Sequence, residues 1–160
     1  MKIGARRTPV PYGEILRTLG RQLDARCWGS LRLDARAAHL VLEARPAARW
    51  GPTERLVLTP VALVRLLRET RGGRGIDGVA TAVPRHPVGL GYGEALRLIG
   101  QALDRRGARL VRVIEHPDGL IVQAFPPGAG LTTVLASWPH LKVRHRQALA
   151  QRQARAGGSA

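Results

Sequence analysis

The chain has 160 residues, 44% of them hydrophobic, so it is long enough to bury one core or two small ones. Its 26 lysine and arginine residues outnumber 11 acidic ones, giving a formal net charge of +15, which disfavours a neutral metabolic enzyme and favours a polyanionic partner. The single cysteine excludes an internal disulfide framework, and no apolar run is long enough to span a membrane.

The first predicted element is an amphipathic helix. Its apolar residues recur at spacings of three and four and therefore share one face: Tyr12, Ile15, Leu16, Leu19 and Leu23. Alternating apolar residues then predict strands near 31–33, 39–44 and 55–59. A second helix is predicted over 60–71, with proline at its first position.

The same pattern recurs 80 residues later. Tyr12-Gly13-Glu14 reappears as Tyr92-Gly93-Glu94, and the gapless alignment from residue 12 to residue 44 holds 12 identities in 33 positions. Strands are predicted near 111–113, 120–125 and 133–137, followed by a helix from Pro139 to Arg155. Pro117-Asp118-Gly119 predicts a hairpin turn, with a positive φ expected at the glycine.

This repetition predicts an α+β fold made of two tandem α-β-β-β-α units related by a pseudo-two-fold axis. We place unit 1 at 8–71, a glycine-rich linker at 72–87, unit 2 at 88–155 and a flexible tail at 156–160. Because a unit of this size has a marginal core, the two are expected to share a core or a sheet.

Glycines and aspartates recur inside the opening helices. Gly13 and Gly20 repeat as Gly93 and Gly100, and close packing of two helix backbones is the favoured interpretation, with approach to a phosphate backbone as the alternative. Asp24 repeats as Asp104. Helix-end electrostatics accounts for these carboxylates more simply than a metal site does.

Catalytic motifs are not found. The serines lack a nucleophile motif, the five histidines are scattered, and neither a metal-binding histidine pair nor a phosphate-binding glycine loop is present. The first residues also lack the apolar segment of a signal peptide. We therefore expect a cytoplasmic, non-enzymatic protein without a cofactor, a metal or a membrane partner.

The basic residues give the leading functional hypothesis. Three arginine pairs recur through the repeat, and the last helix adds further cations, with no acidic residue from Gly119 to the end of the chain. Aromatic residues are only 4% of the chain, which favours contact with the phosphate backbone over base stacking. The predicted contacts are Arg17, Arg26, Arg32, Arg97, Arg106, Arg112, Lys142, Arg144 and Arg146.

The function expected from these residues is binding of DNA or RNA with little sequence specificity. The alternative is an adaptor that binds an acidic protein partner through a sheet edge or a helix face. The element order α-β-β-β-α is similar to that of the double-stranded RNA-binding domain. The similarity ends at element order. In the first unit Pro60-Val61-Ala62-Leu63 stands in place of the basic motif of that domain, and in the second Lys142 and Arg144 match it only loosely, so no site residue is carried over.

Overall fold

The computed structural model describes residues 10–46, 51–71 and 89–158 and shows a mixed α+β fold. In chain order its elements are α1 (Tyr12–Ala25), β1 (Trp28–Ala35), β2 (Leu40–Pro46), β3 (Glu54–Leu58), α2 (Pro60–Arg71), α3 (Tyr92–Arg106), β4 (Arg109–His116), β5 (Gly119–Phe125), β6 (Thr132–Ser137) and α4 (Trp138–Gly157). Each predicted helix and strand is present. The predicted linker at 72–87 lies outside the described residues.

All six strands of the described chain join one antiparallel sheet in the order β3-β2-β1-β4-β5-β6. The two central strands, β1 and β4, pair with Leu33 opposite Val113. Each of them contains one register shift, at Gly29/Arg32 and at Leu110/Arg112. The sheet is therefore continuous across the two sets of strands, and the core is shared.

The core lies between one face of the sheet and the helices α1 and α3. Leu16 and Leu23 of α1, Leu96 of α3, and Leu33 and Val113 of the central strands are all buried in one apolar cluster. The apolar helix face predicted from the sequence periodicity is thus the face that packs against the sheet. α2 and α4 flank the central helix pair, α2 against α1 and α4 against α3.

Glycine allows α1 and α3 to pack at backbone contact. A Cβ atom added at Gly20 would stand 2.4 Å from the carbonyl oxygen of Tyr92, and one at Gly100 would stand 2.5 Å from that of Tyr12. No side chain fits at either distance. Gly20 and Gly100 are therefore required by helix packing, which confirms the favoured interpretation for this pair, whereas a Cβ at Gly13 or Gly93 would meet side chains at 3.1 and 3.0 Å.

Two aspartates cap these helices across their interface. The residues that precede the helices, Pro11 and Gly91, have no side-chain oxygen and make no capping hydrogen bond. Asp104 instead accepts hydrogen bonds from the backbone N–H groups of Tyr12 and Gly13, both at 2.8 Å. Asp24 likewise accepts from Tyr92 and Gly93, both at 2.9 Å. Each carboxylate therefore accepts from two backbone N–H groups that have no partner within the other helix.

Two local details differ from the sequence prediction. The turn at Pro117-Asp118 forms, but Gly119 is not among the residues with positive φ. Glycine is needed there because a Cβ would stand 2.2 Å from the carbonyl oxygen of Ala136 on β6. In addition, α4 continues to Gly157, so the segment predicted as a tail begins as helix.

Candidate nucleic-acid interface

The last helix carries the densest group of cations. Ser137 caps its first turn, accepting a hydrogen bond from the His140 N–H, and Trp138 and Leu141 anchor it to the core. From Leu149 onward every described residue of the chain is exposed. Over residues 138–157 all ionisable side chains are basic: His140, Lys142, Arg144, His145, Arg146, Arg152 and Arg155.

The start of α4 brings two predicted residues together. Arg106 and Arg144 line the same cavity of about 520 Å³, which lies between α3, α4 and the β5–β6 edge of the sheet. Arg105 and His140 line it as well, and none of the lining residues is acidic. The cavity therefore has a cationic rim above an apolar floor formed by residues such as Leu98, Val122 and Val134.

Arg32 and Arg112 also lie together, on the sheet face opposite α1 and α3, where they share Asp34. The Nε of Arg32 donates to one Asp34 oxygen at 3.0 Å, and the Nε of Arg112 donates to the other. Burial alone would raise the pKa of the Asp34 carboxyl. The hydrogen bonds and charges of Arg112 and Arg32 outweigh it and hold this pKa below its ordinary value near 3.8. The three groups carry a net charge of +1, and both arginines are already partnered.

The row of residues across this open face has two chemical halves. From the β3 edge to β1 it runs Arg55, Glu43, Arg32, and from β4 to the β6 edge it runs Ile114, Ile121, Leu135. Arg55 and Glu43 form an ion pair at 3.7 Å. Arg32 is therefore the last charged side chain of this row before it becomes aliphatic.

Arg17 and Arg26 lie apart from both groups. Arg17 is exposed on α1. Arg26 is exposed at the end of the same helix, where its guanidinium carbon stands 4.8 Å from the centre of the Trp28 ring. That distance is within the range of a cation–π contact.

Arg97 differs from the other predicted contacts because it is buried. Only 5% of it is exposed. Its Nε donates to Oε2 of Glu94 at 2.9 Å, and its Nη2 stands 2.8 Å from the same oxygen without hydrogen-bond geometry. The Nδ1 of His145 on α4 lies 3.3 Å from this oxygen too. Because α4 packs over this part of α3, the arginine that repeats Arg17 in the sequence is covered.

Two side chains of the cationic rim, Arg105 and His140, were not among the predicted contacts. Arg105 adjoins Arg106 at the end of α3, and His140 stands one helical turn before Arg144, so their spacing was a usable signal. What the sequence lacked was the packing of α4 against α3, which turns two separate basic segments into one rim.

The described residues contain no group of three His, Cys, Asp or Glu side chains placed to hold a metal ion. In the same ranges, no helix is both long and apolar enough to cross a bilayer. Comparison of the chain with protein-family models, curated proteins and solved structures finds no match.

Proposed function

We propose that the chain is a fused pair of one ancestral α-β-β-β-α unit, arranged about a pseudo-two-fold axis. Three features support this. The sheet order β3-β2-β1 is followed by β4-β5-β6, the close helix contacts fall at positions 80 residues apart, and the two capping aspartates are reciprocal. The two units of such a pair could not separate without exposing the core, because the core lies across their junction.

We further propose that this protein binds nucleic acid through the phosphate backbone, without catalysis, metal or cofactor. The observation that carries the proposal is α4, a 20-residue helix whose ionisable groups are all basic and whose second half is exposed. An array of guanidinium groups without neighbouring carboxylates binds phosphates with little dependence on base sequence. DNA and RNA duplexes are both candidates.

The helix α4 is long enough to contact several phosphates. From Lys142 to Arg155 the helix spans roughly 20 Å at about 1.5 Å per residue. Its cations Lys142, Arg144, Arg146, Arg152 and Arg155 would neutralise about five phosphates. Each phosphate neutralised contributes about −0.9 to the slope of log K against log salt on B-form DNA, so five predict a slope of about −4.5.

The test is a salt titration by fluorescence anisotropy with a DNA duplex, an RNA duplex and heparin. Between about 50 and 200 mM salt, duplex affinity should fall by several hundred-fold. Replacing Lys142, Arg146, Arg152 and Arg155 together by Gln should flatten the slope by about 3.6, since each contact contributes about 0.9.

The matched control removes four exposed arginines from other elements, by changing Arg21, Arg36, Arg65 and Arg68 to Gln. It lowers the net charge equally but should change the slope by less than about one unit, because no phosphate contact is lost. The proposal is wrong if heparin binds as tightly as both duplexes and the α4 variant keeps the full slope.

A further inference from the structure

Within the residues that the structure describes, strand β6 is an unprotected edge of the sheet. It pairs with β5 over six residues without a register shift, and it is the last strand of the sheet on that side. Its sequence, Thr132–Ser137, has no charge and no proline, and Val134 and Leu135 are 49% and 47% exposed. Exposed edge strands usually carry charges, prolines or bulges that block the addition of another strand.

The opposite edge of the sheet has such protection. Strand β3 carries Glu54 and Arg55 at its start, and the Arg55 side chain is 62% exposed. Val57 of β3 is 52% exposed, so the two edges resemble each other in apolar exposure but differ in charge. Strand addition is therefore favoured at β6 alone.

The cationic cavity lies directly beside this edge. Thr132, Val134 and Ala136 pair with Ala124, Val122 and Leu120, which belong to or pack against the core, so these three β6 side chains face the helices. The same side of β6 lines the cavity whose rim is Arg105, Arg106, His140 and Arg144. A strand added to β6 would place every second side chain on this side.

We propose that β6 and the adjoining cavity form a docking site for an extended segment of a partner protein, in which acidic residues flank apolar ones. The segment would pair its backbone with β6, place apolar side chains over Val134, and set carboxylates against Arg105, Arg106 and Arg144. This inference goes beyond nucleic-acid binding. It uses the edge strand and the cavity beside it, and of the proposed phosphate contacts along α4 it uses Arg144.

A second copy of the chain fits the site less well than an acidic segment does. Each chain has a formal charge of +15, and pairing two β6 edges would bring two arginine rims together with no acidic lining residue between them. An acidic segment supplies the missing opposite charge. The observations therefore select a partner of complementary charge.

The probe is a fluorescein-labelled peptide of sequence ETLTVTE, which presents Glu, Leu, Val and Glu on one side when extended. We expect this peptide to bind the full chain. The charge-reversed peptide KTLTVTK should bind about tenfold more weakly or worse, because it meets the arginine rim with like charge. Val134→Glu should weaken ETLTVTE binding by about tenfold or more, since it adds a carboxylate beside the apolar anchor.

Val57→Glu is the matched control, a valine of similar exposure on the other edge strand, and should leave the peptide Kd within about twofold. Arg105→Gln, at an exposed helix end, tests the rim without altering the sheet. Circular dichroism confirms that each variant is folded. Equal binding of both peptides, or equal affinity of the Val134 and Val57 variants, would overturn the proposal.

The same variants distinguish the two other possible occupants of this edge, a second copy of the chain and a nucleic acid. If sedimentation shows a dimer that Val134→Glu dissociates, the edge is a self-association surface and the proposal is wrong. If Val134→Glu abolishes duplex binding, the edge serves nucleic acid and the proposal is likewise wrong. The α4 quadruple variant should retain peptide binding, so failure of the nucleic-acid proposal leaves this one standing, and the reverse also holds.

Discussion

The Asp24 carboxylate caps the helix that carries Asp104, and the Asp104 carboxylate caps the helix that carries Asp24. An aspartate near the C-terminus of its own helix is unfavourable toward that helix dipole. Here the neighbouring helix runs in the opposite direction and offers its N-terminus. The pair therefore stabilises the α1–α3 contact and fixes its register.

Removing either cap should destabilise the fold. We expect Asp24→Ala and Asp104→Ala each to cost about 0.5–2 kcal/mol of unfolding free energy, because two backbone donors lose their acceptor. Chemical denaturation monitored by circular dichroism measures this. Glu69→Ala, an exposed acidic residue of α2, is the control and should stay within about 0.5 kcal/mol of the parent protein. Equal stability of all three variants would contradict the capping role.

A larger loss of stability is expected at the glycine contact between α1 and α3. Gly20→Ala places a Cβ only 2.4 Å from the Tyr92 carbonyl oxygen, so the helices must move apart. We expect a loss of about 1–3 kcal/mol, or several degrees in Tm. Gly130→Ala is the control, because a Cβ there meets no atom within 4 Å and the backbone φ is not positive. An unchanged Tm for Gly20→Ala would show that the helices are not in backbone contact.

The lowered pKa of Asp34 predicts how the folding stability changes with pH, with a defined sign. Its pKa is lowered in the folded state, so the unfolded chain takes up the proton more readily. The stability from this carboxylate is fully present above its ordinary pKa near 3.8 and is lost as the pH falls through the lowered value. Asp34→Asn should therefore destabilise at pH 6 and approach the parent protein in acid.

Denaturation at a series of pH values measures this difference. Asp118→Asn, at a carboxylate whose side chain is 77% exposed, controls for the loss of one negative charge. A stability gap between parent and Asp34→Asn that stays constant down to pH 2 would show that the arginine contacts do not hold the ionised carboxylate.

Substitutions at Arg17 and Arg97 distinguish an exposed arginine from one that stabilises the fold. Arg97→Gln should leave the salt slope of duplex binding unchanged, since the buried guanidinium is bound to Glu94, but should cost about 1–3 kcal/mol of stability. Arg17→Gln, the corresponding exposed residue of α1, should change stability by less than about 0.5 kcal/mol. A flattened slope for Arg97→Gln would mean that its side chain reaches phosphate.

The elements were predictable because their signals are local. The helix periodicity from Tyr12 to Leu23 and the alternation around Leu33 report burial within a few residues along the chain. The capping partners of Asp24 were not predictable, because its donors lie 68 and 69 residues away. Only the repetition of Asp24 as Asp104 indicated that these two carboxylates have the same role.

The candidate site was predictable in composition but not in arrangement. The sequence shows that Arg17 and Arg97 are repeated, yet one is exposed and the other is covered by α4. The sequence also predicts Arg32 and Arg112 as phosphate contacts, whereas in the structure both pair with Asp34, which partly neutralises them. Exposure and ion pairing depend on which elements meet across the sheet, and a repeat in the sequence does not determine that.

Neighbouring rows on the open sheet face differ across the β1–β4 seam. Arg32 on β1 faces Ile114 on β4, whereas in the next row Asp34 on β1 faces Arg112 on β4. Arg32 and Arg112 are 80 positions apart, and so are Asp34 and Ile114. In a dimer of identical subunits, positions 34 and 114 would carry the same residue. Because this chain encodes them separately, one row can hold a carboxylate between two arginines while the other row holds an isoleucine.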